Sequence, residues 1–335
     1  MVAVALRGLS ALALLAAAGA AGAHVPAPNS AAPIVLEVPA WLWACLAASL
    51  TLYGAGLGRL WRRAGRGHGI AQWRAGCFAA GWLALLVALA SPLDPWSARL
   101  FSAHMLQHEL LMVVASPLLV LGRPLAVWTF ALTPRLRRAC GGALRAAAWR
   151  RVWRLVTLPL AAWTLHALAL WAWHAPAAFD AALRSETIHE LQHASFLASA
   201  LLFWWTVLGV RHTAPGVPLV CVFTTMIHSG ALGALLALSP RVWYLPYAAS
   251  AAALGWDPLQ DQQLGGLVMW APAGVAYFVS GLMLAARLVR PAHLARTSAS
   301  GALVQLSANG CATGTVRPTI ASRSARSGPG RPGPA

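Results

Sequence analysis

There is no lysine in this chain, and acids are scarce: eight Asp and Glu stand against 25 basic residues, every one an arginine. We read the missing lysine as genome composition and attach no function to it. Charged residues make up only 10% of the sequence, well under half the share usual in soluble domains, which excludes an ordinary water-soluble globule. Cysteine is thin too. The five (Cys45, Cys77, Cys140, Cys221 and Cys311) are scattered, with no CxxC and no close pair. That argues against a disulfide framework and against a thiolate metal site, and four of them read as helix-packing residues.

What the chain has in quantity is hydrocarbon. Residues are 59% hydrophobic, mean hydropathy is +0.63, and 17 tryptophans suit interfacial belts. Seven runs, at 39–60, 71–91, 102–122, 156–175, 189–210, 217–238 and 264–286, each approach the ~20 apolar residues that a bilayer requires. The predicted fold is all-α, a polytopic membrane helical bundle of about seven transmembrane helices.

Charge assigns the sides. Arg59, Arg62, Arg63, Arg66 and Arg74, the run from Arg123 to Arg154, Arg211, and the arginines from Arg287 onward fall on one side; only Arg99, Arg184 and Arg241 fall on the other. The positive-inside rule then places the N-terminus outside and the C-terminus in the cytoplasm. The formal +17 is therefore a topology signal, so the partner it implies is the lipid bilayer and not nucleic acid. The acids mirror it: Glu37, Asp94, Glu109, Asp180, Glu186, Glu190, Asp257 and Asp261 all lie outside or at outer helix ends.

Residues 1–23 read as a signal peptide, with Arg7, an apolar stretch from Leu9 to Ala20 and a small-residue site at Ala21-Gly22-Ala23. Cleavage there would expose His24, whose amine and imidazole together chelate copper; the alternative is a plain disordered lead-in. Residues 24–38 are the extracytoplasmic lead-in, 39–290 the membrane domain, and 291–335 a disordered cytoplasmic tail without a site. Within the inner loop 123–155, an interfacial helix around Arg137–Arg154, with Trp149 and Trp153 against lipid, competes with a basic solvated loop.

Histidine is where the chemistry gathers. In His104-Met-Leu-Gln-His108-Glu109 two imidazoles four residues apart share a helix face, and Met112 continues it. His189 and His193 repeat the spacing. With His174 these five sit at the outer ends of the third, fourth and fifth spans. His166 lies two turns inward of His174, and His228 lies mid-span. A single membrane histidine is more often an interhelical hydrogen-bond partner, but five at one depth predict a metal site. Imidazoles beside thioethers (Met105, Met112, Met226, Met269) suit copper, whereas imidazole with carboxylate also suits zinc or iron. Glu109, Glu190 and Asp261 are candidate ligands or orienting partners.

Two other chemistries compete. His189-Glu190-Leu191-Gln192-His193 fits H-E-x-x-H, in which the pair binds zinc and the glutamate is the general base of a peptidase. The same histidine spacing at His104–His108 lacks that glutamate, which favours a fold that wants imidazoles as such. Membrane haem ligation is the third option, weakened because the inner half of the membrane is poor in histidine.

The ordered motifs resemble a known family. His104-Met-Leu-Gln-His108 is followed by Ser116-Pro117-Leu118-Leu119 and Leu121-Gly122-Arg123-Pro124. Then come Trp173-His174-x-Pro176, the His189…His193 pair leading into Phe203-Trp204-Trp205, and Asp261-Gln262-Gln263-Leu264-Gly265-Gly266 with Met269-Trp270. Over roughly residues 39–290 this is similar to the CtaG family of caa3-type cytochrome c oxidase assembly factors. The resemblance implies a multi-span protein of the bacterial inner membrane, not an enzyme, that supports formation of haem-copper oxidase by handling copper. Its partners would be oxidase subunits or other copper-handling proteins. It marks His104, His108, His174, His189, His193 and Asp261. Glu109 departs from the pattern, standing where an apolar residue or Met is expected.

Overall fold

A computed structural model describes residue 36, residues 38–209 and residues 216–310, with side chains placed as far as residue 288 apart from Ala143. The signal segment, His24, and Arg211 with His212 lie outside the described residues. The chain divides into two units, Met1–Ala285 and Ala286–Ala335; the second holds the continuation of the last helix to Gly310, and the first holds the candidate site.

Among the described residues the structure is helical, with no strand. Helix α1 spans Ala40–Ala64 and α2 Gln72–Leu89. They are separated by a turn in which Gly65, Gly67 and Gly69 all take positive φ, backbone that only glycine adopts cheaply. A short α3 (Leu93–Ser97) precedes α4, Phe101–Gly122. Next come α5 (Pro124–Ala131), α6 (Pro134–Leu144) and α7 (Ala147–Val156). Helix α8 is Pro159–His174, α9 Pro176–Arg184, α10 Glu186–Gly209 and α11 Gly216–Ala237. Helix α12 is Pro246–Ala253 and α13 Pro258–Gly310. Six of these start on proline, which fits the first helical position because its missing N–H is not needed there.

Six helices are long and apolar enough to cross a membrane: α1, α2, α4, α10, α11 and α13 over Pro258–Leu288. A seventh is counted if α7 and α8, bent by 68° at their junction, make one span. Pro159 explains the bend, since its ring blocks a helix running through from Val156. The basic loop accordingly forms two helices, α6 and α7. Trp153 packs against Trp205 of α10, 6.1 Å between ring centres, and Val152 and Leu155 carry the exposed apolar face.

Helix α4 is the axis of the bundle: 67% of its apolar stretch is buried, against 22% for α1 and α2. Phe101, Met105, Met112, Val113 and Val120 pack on Phe196, Phe203 and Trp204 of α10 and on Met269 and Tyr277 of α13. Outer faces are apolar too, with Val220, Phe223 and Ile227 on α11 and Val275, Phe278 and Leu282 on α13 exposed as lipid-facing stripes. Backbones approach closely at the α11–α13 crossing, where a Cβ on Gly266 would fall on the Ala237 nitrogen and the Gly233 carbonyl oxygen. Both central helices loosen into a π-helical turn, at Leu110–Ala115 in α4 and Trp205–Gly209 in α10. There the Trp204 indole donates to the Met112 carbonyl at 2.9 Å, tying the two helices together. Such turns often accompany functional sites.

Three short helices, α3, α9 and α12, lie in the connections that charge assigns to the outside, and they converge. The Tyr247 hydroxyl of α12 donates to the Ser97 carbonyl of α3 at 2.8 Å, and Ser250 donates to the Arg99 carbonyl at 2.8 Å. Phe179 of α9 packs on Tyr244, 4.3 Å between ring centres.

Candidate metal centre

Under that cap the five histidines meet. His104 and His108 come from α4, His174 from the last residue of α8, and His189 and His193 from the first two turns of α10. Ring centres lie 4.3 Å apart for His104–His108, 4.2 Å for His189–His193, 5.1 Å for His104–His189, 5.3 Å for His108–His193 and 6.0 Å for His108–His174. Ligand atoms of His104, His189 and His193 all lie within 4.8 Å of one another, a group able to hold a metal ion. Phe179 and Phe196 wall the cluster, at 5.0 Å from His104 and 4.7 Å from His108.

Hydrogen bonds fix which nitrogen two of the rings offer. The His174 Nδ1 lies 2.7 Å from the Leu170 carbonyl, which only accepts, so Nδ1 carries the proton and Nε2 the lone pair. Tyr247 has one hydroxyl proton, and the Ser97 carbonyl takes it. His104 Nδ1 therefore donates to the Tyr247 oxygen at 2.9 Å, and its Nε2 is again the free lone pair. The Nε2 atoms of all five histidines are buried without a hydrogen-bond partner, and so is Nδ1 of His108. Five unpaired imidazole nitrogens in one pocket would each carry a desolvation cost unless something binds them. A ligand nitrogen oriented by a hydrogen bond on the opposite side of its ring is the usual construction of a metal-binding histidine. The donor set fits a nitrogen-preferring transition metal such as copper or zinc.

The other residues singled out by sequence fall elsewhere. Asp261, wholly buried at the start of α13, accepts from the Phe101 N–H at 2.7 Å, the Ser102 N–H at 3.1 Å and the Ser102 hydroxyl at 2.5 Å. It caps the N-terminus of α4 from another helix. Glu109 is buried with one carboxylate oxygen unpartnered, and it stands in electrostatic reach of Tyr277. Met112 is buried in the apolar cluster beneath the histidines. Glu190 sits beside Trp41 of α1 and is not in the three-histidine group.

Further inward, His166 pairs with Ser199 at 3.2 Å. His228 Nδ1 accepts from the Trp171 indole at 3.4 Å, so its remaining nitrogen is an N–H and not a lone pair.

Sequence reading missed the supports. Tyr247 orients His104; Tyr244 donates to the His174 carbonyl at 2.8 Å; Gln107 donates to the Ala88 carbonyl at 2.7 Å and to Asp94 at 2.8 Å. Burial holds the Asp94 carboxyl above its ordinary range, opposed by that Gln107 amide. Gln192, fully buried between His189 and His193, has neither end of its amide paired. One signal was available: the chain has only four tyrosines, and two stand close together in an outer connection.

The comparisons agree with this architecture. Residues 51–291 match the family described as cytochrome c oxidase caa3 assembly factor (Caa3_CtaG). The chain is 28% identical over 233 residues to uncharacterized protein Mb0105 of Mycobacterium bovis and, to the same extent, to uncharacterized protein MT0111 of Mycobacterium tuberculosis. Those matches cover 65% of this chain and 34% of each relative. Uncharacterized protein ML1998 of Mycobacterium leprae is 25% identical over 259 residues, 72% of this chain and 37% of the relative. The chain thus spans about a third of the length of the curated relatives it matches. No solved structure matches it. The family match covers well over half of the sequence, and the chain belongs to the cytochrome c oxidase caa3 assembly factor family.

Proposed function

We propose that this chain is a membrane assembly factor that takes up copper in its outer histidine cluster and delivers it to a haem-copper oxidase subunit or another copper-handling protein. It performs no catalysis of its own. The observation that carries the reading is the set of five buried Nε2 atoms without partners, three of them on rings whose ligand atoms gather within 4.8 Å.

The ligand set favours copper, and monovalent copper in particular. No carboxylate belongs to the gathered group, so the ligands are neutral and the pocket walls are aromatic. Transfer of charge into such a medium costs roughly as the square of the charge, about four times more for a divalent than for a monovalent ion. Imidazole must be deprotonated to bind, so sufficient acid should release the metal.

The test is metal analysis of the full chain purified in detergent from copper-replete bacteria, beside a His104→Ala/His193→Ala double variant. Near-stoichiometric copper that disappears in the variant is expected, together with loss of copper-dependent oxidase activity in a strain carrying only the variant. A chain that binds no metal, yet restores oxidase in a deletion strain, would leave a scaffold acting through contacts alone.

One observation favours a second reading. His104 supplies a third imidazole to the His189–His193 pair, and three histidines with an H-E-x-x-H glutamate make a zinc peptidase site. Glu190 lies toward α1 and outside the gathered group, which is why this reading ranks second. Zinc in the purified protein, with peptide hydrolysis lost on Glu190→Gln while the metal stays, would establish it.

A further inference from the structure

We infer that the cluster holds two metal positions in series, an outer one of three imidazoles (His104, His189, His193) and an inner, two-coordinate one between His108 and His174. This rests on the reading of the cluster as a copper site and adds a second position, a ligand number and an order of occupancy.

Geometry separates the two. With a metal–nitrogen bond of about 2 Å and about 1.1 Å from nitrogen to ring centre, imidazole centres stand ~6.2 Å apart across a linear ion and ~5.4 Å apart around a trigonal one. The His108 and His174 rings are 6.0 Å apart, the linear value. The outer three are 5.1, 6.0 and 4.2 Å apart, one at the linear value and two below the trigonal one, so it is the gathering of their ligand atoms within 4.8 Å that sets them apart. The group that gathers its ligand atoms includes neither His108 nor His174. His174 is fixed by the Leu170 carbonyl with Nε2 as its lone pair, so that nitrogen is free to serve the inner position. His108 has both ring nitrogens unpartnered. No hydrogen bond prescribes its tautomer, and it stands 5.3 Å from His193 and 6.0 Å from His174. It is the one imidazole placed to take an ion from the outer group and share it with His174: the bond to His193 breaks as the bond to His108 forms, with no change of oxidation state.

Two neutral nitrogens in line suit a soft monovalent ion and leave a divalent ion, which wants more ligands, badly served. Inward of His174, His166 is tied to Ser199 and His228 presents an N–H, and neither ring is among the three whose ligand atoms gather. With both positions filled, two like charges repel at short range, so the second equivalent is held more weakly than the first.

The experiment is an anaerobic titration of the full-length protein in detergent with Cu(I) against a chromophoric Cu(I) chelator, with X-ray absorption spectra at one and two equivalents. We expect two equivalents, the first with three nitrogen ligands. At the second, mean coordination falls between two and three, and the strong pre-edge feature of linear Cu(I) appears. His174→Ala should keep the first equivalent and its spectrum and lose the second. Saturation at one equivalent, or a second equivalent that survives His174→Ala, would overturn the inner position while leaving the outer site standing. The spectra of the unsubstituted chain decide the matter even if the variant does not fold. No Cu(I) binding at all would instead remove the copper reading on which the inference rests.

Discussion

At the scale of single residues, the site depends on groups that never touch a metal. Tyr247 is the clearest: its oxygen accepts from His104 Nδ1 and its proton goes to Ser97. Removing the hydroxyl loosens the hold on His104 and takes one partner from the Ser97 carbonyl. Tyr247→Phe should therefore weaken copper binding about 10–100-fold, the usual effect of losing a ligand's orienting partner. The cost in stability should be about 1–3 kcal/mol, that of leaving a buried polar group unmade. Chelator competition and thermal unfolding of the same preparation check both; unchanged affinity with lowered stability would make Tyr247 a packing residue only. The histidines themselves were legible in the sequence because ionisable groups in a membrane are expensive and two i,i+4 pairs are rare by accident. Tyr247 and Gln192 were not, since their role lies in which atom faces which, and spacing along one helix says nothing about partners on another.

At the scale of elements, Asp261 shows how a residue marked in the sequence acts through a helix. Its two oxygens accept three hydrogen bonds from the start of α4, where the exposed N–H groups and the helix dipole favour a negative charge. That contact fastens the start of α13 to the helix that carries His104 and His108. Asp261→Ala should cost about 2–4 kcal/mol, a lost cap plus orphaned buried N–H groups. Asp261→Asn, which keeps an accepting oxygen, should fold and bind copper at full stoichiometry. Loss of the metal in the Asn variant with unchanged melting would show instead that the carboxylate is a ligand. The spans were legible to within a few residues, because hydropathy and proline at first helical positions mark their limits. The π-helical turns and the three short capping helices were not. Each answers a tertiary contact, such as the Trp204 indole on the Met112 carbonyl, that no local pattern encodes.

At the scale of the whole molecule, orientation decides what the site can serve. An ion from outside the cytoplasm reaches the cluster directly only if α3, α9 and α12, which roof it, face that way. Arginine supplies the argument: the α1–α2 junction and α6–α7 carry most of the arginines among the described residues, and the roofing connections carry only Arg99, Arg184 and Arg241. The acids gather at the roofed end, with Asp94, Asp180, Glu186 and Asp257 on or beside the three short helices. Alkaline phosphatase joined after Asp257 should thus be active, because that enzyme works only outside the cytoplasm, and a cytoplasmic fluorescent reporter joined after Arg290 should glow. If the two reporters gave the reverse pattern, the histidines would face the cytoplasm, and an assembly factor supplied from outside would no longer fit this chain.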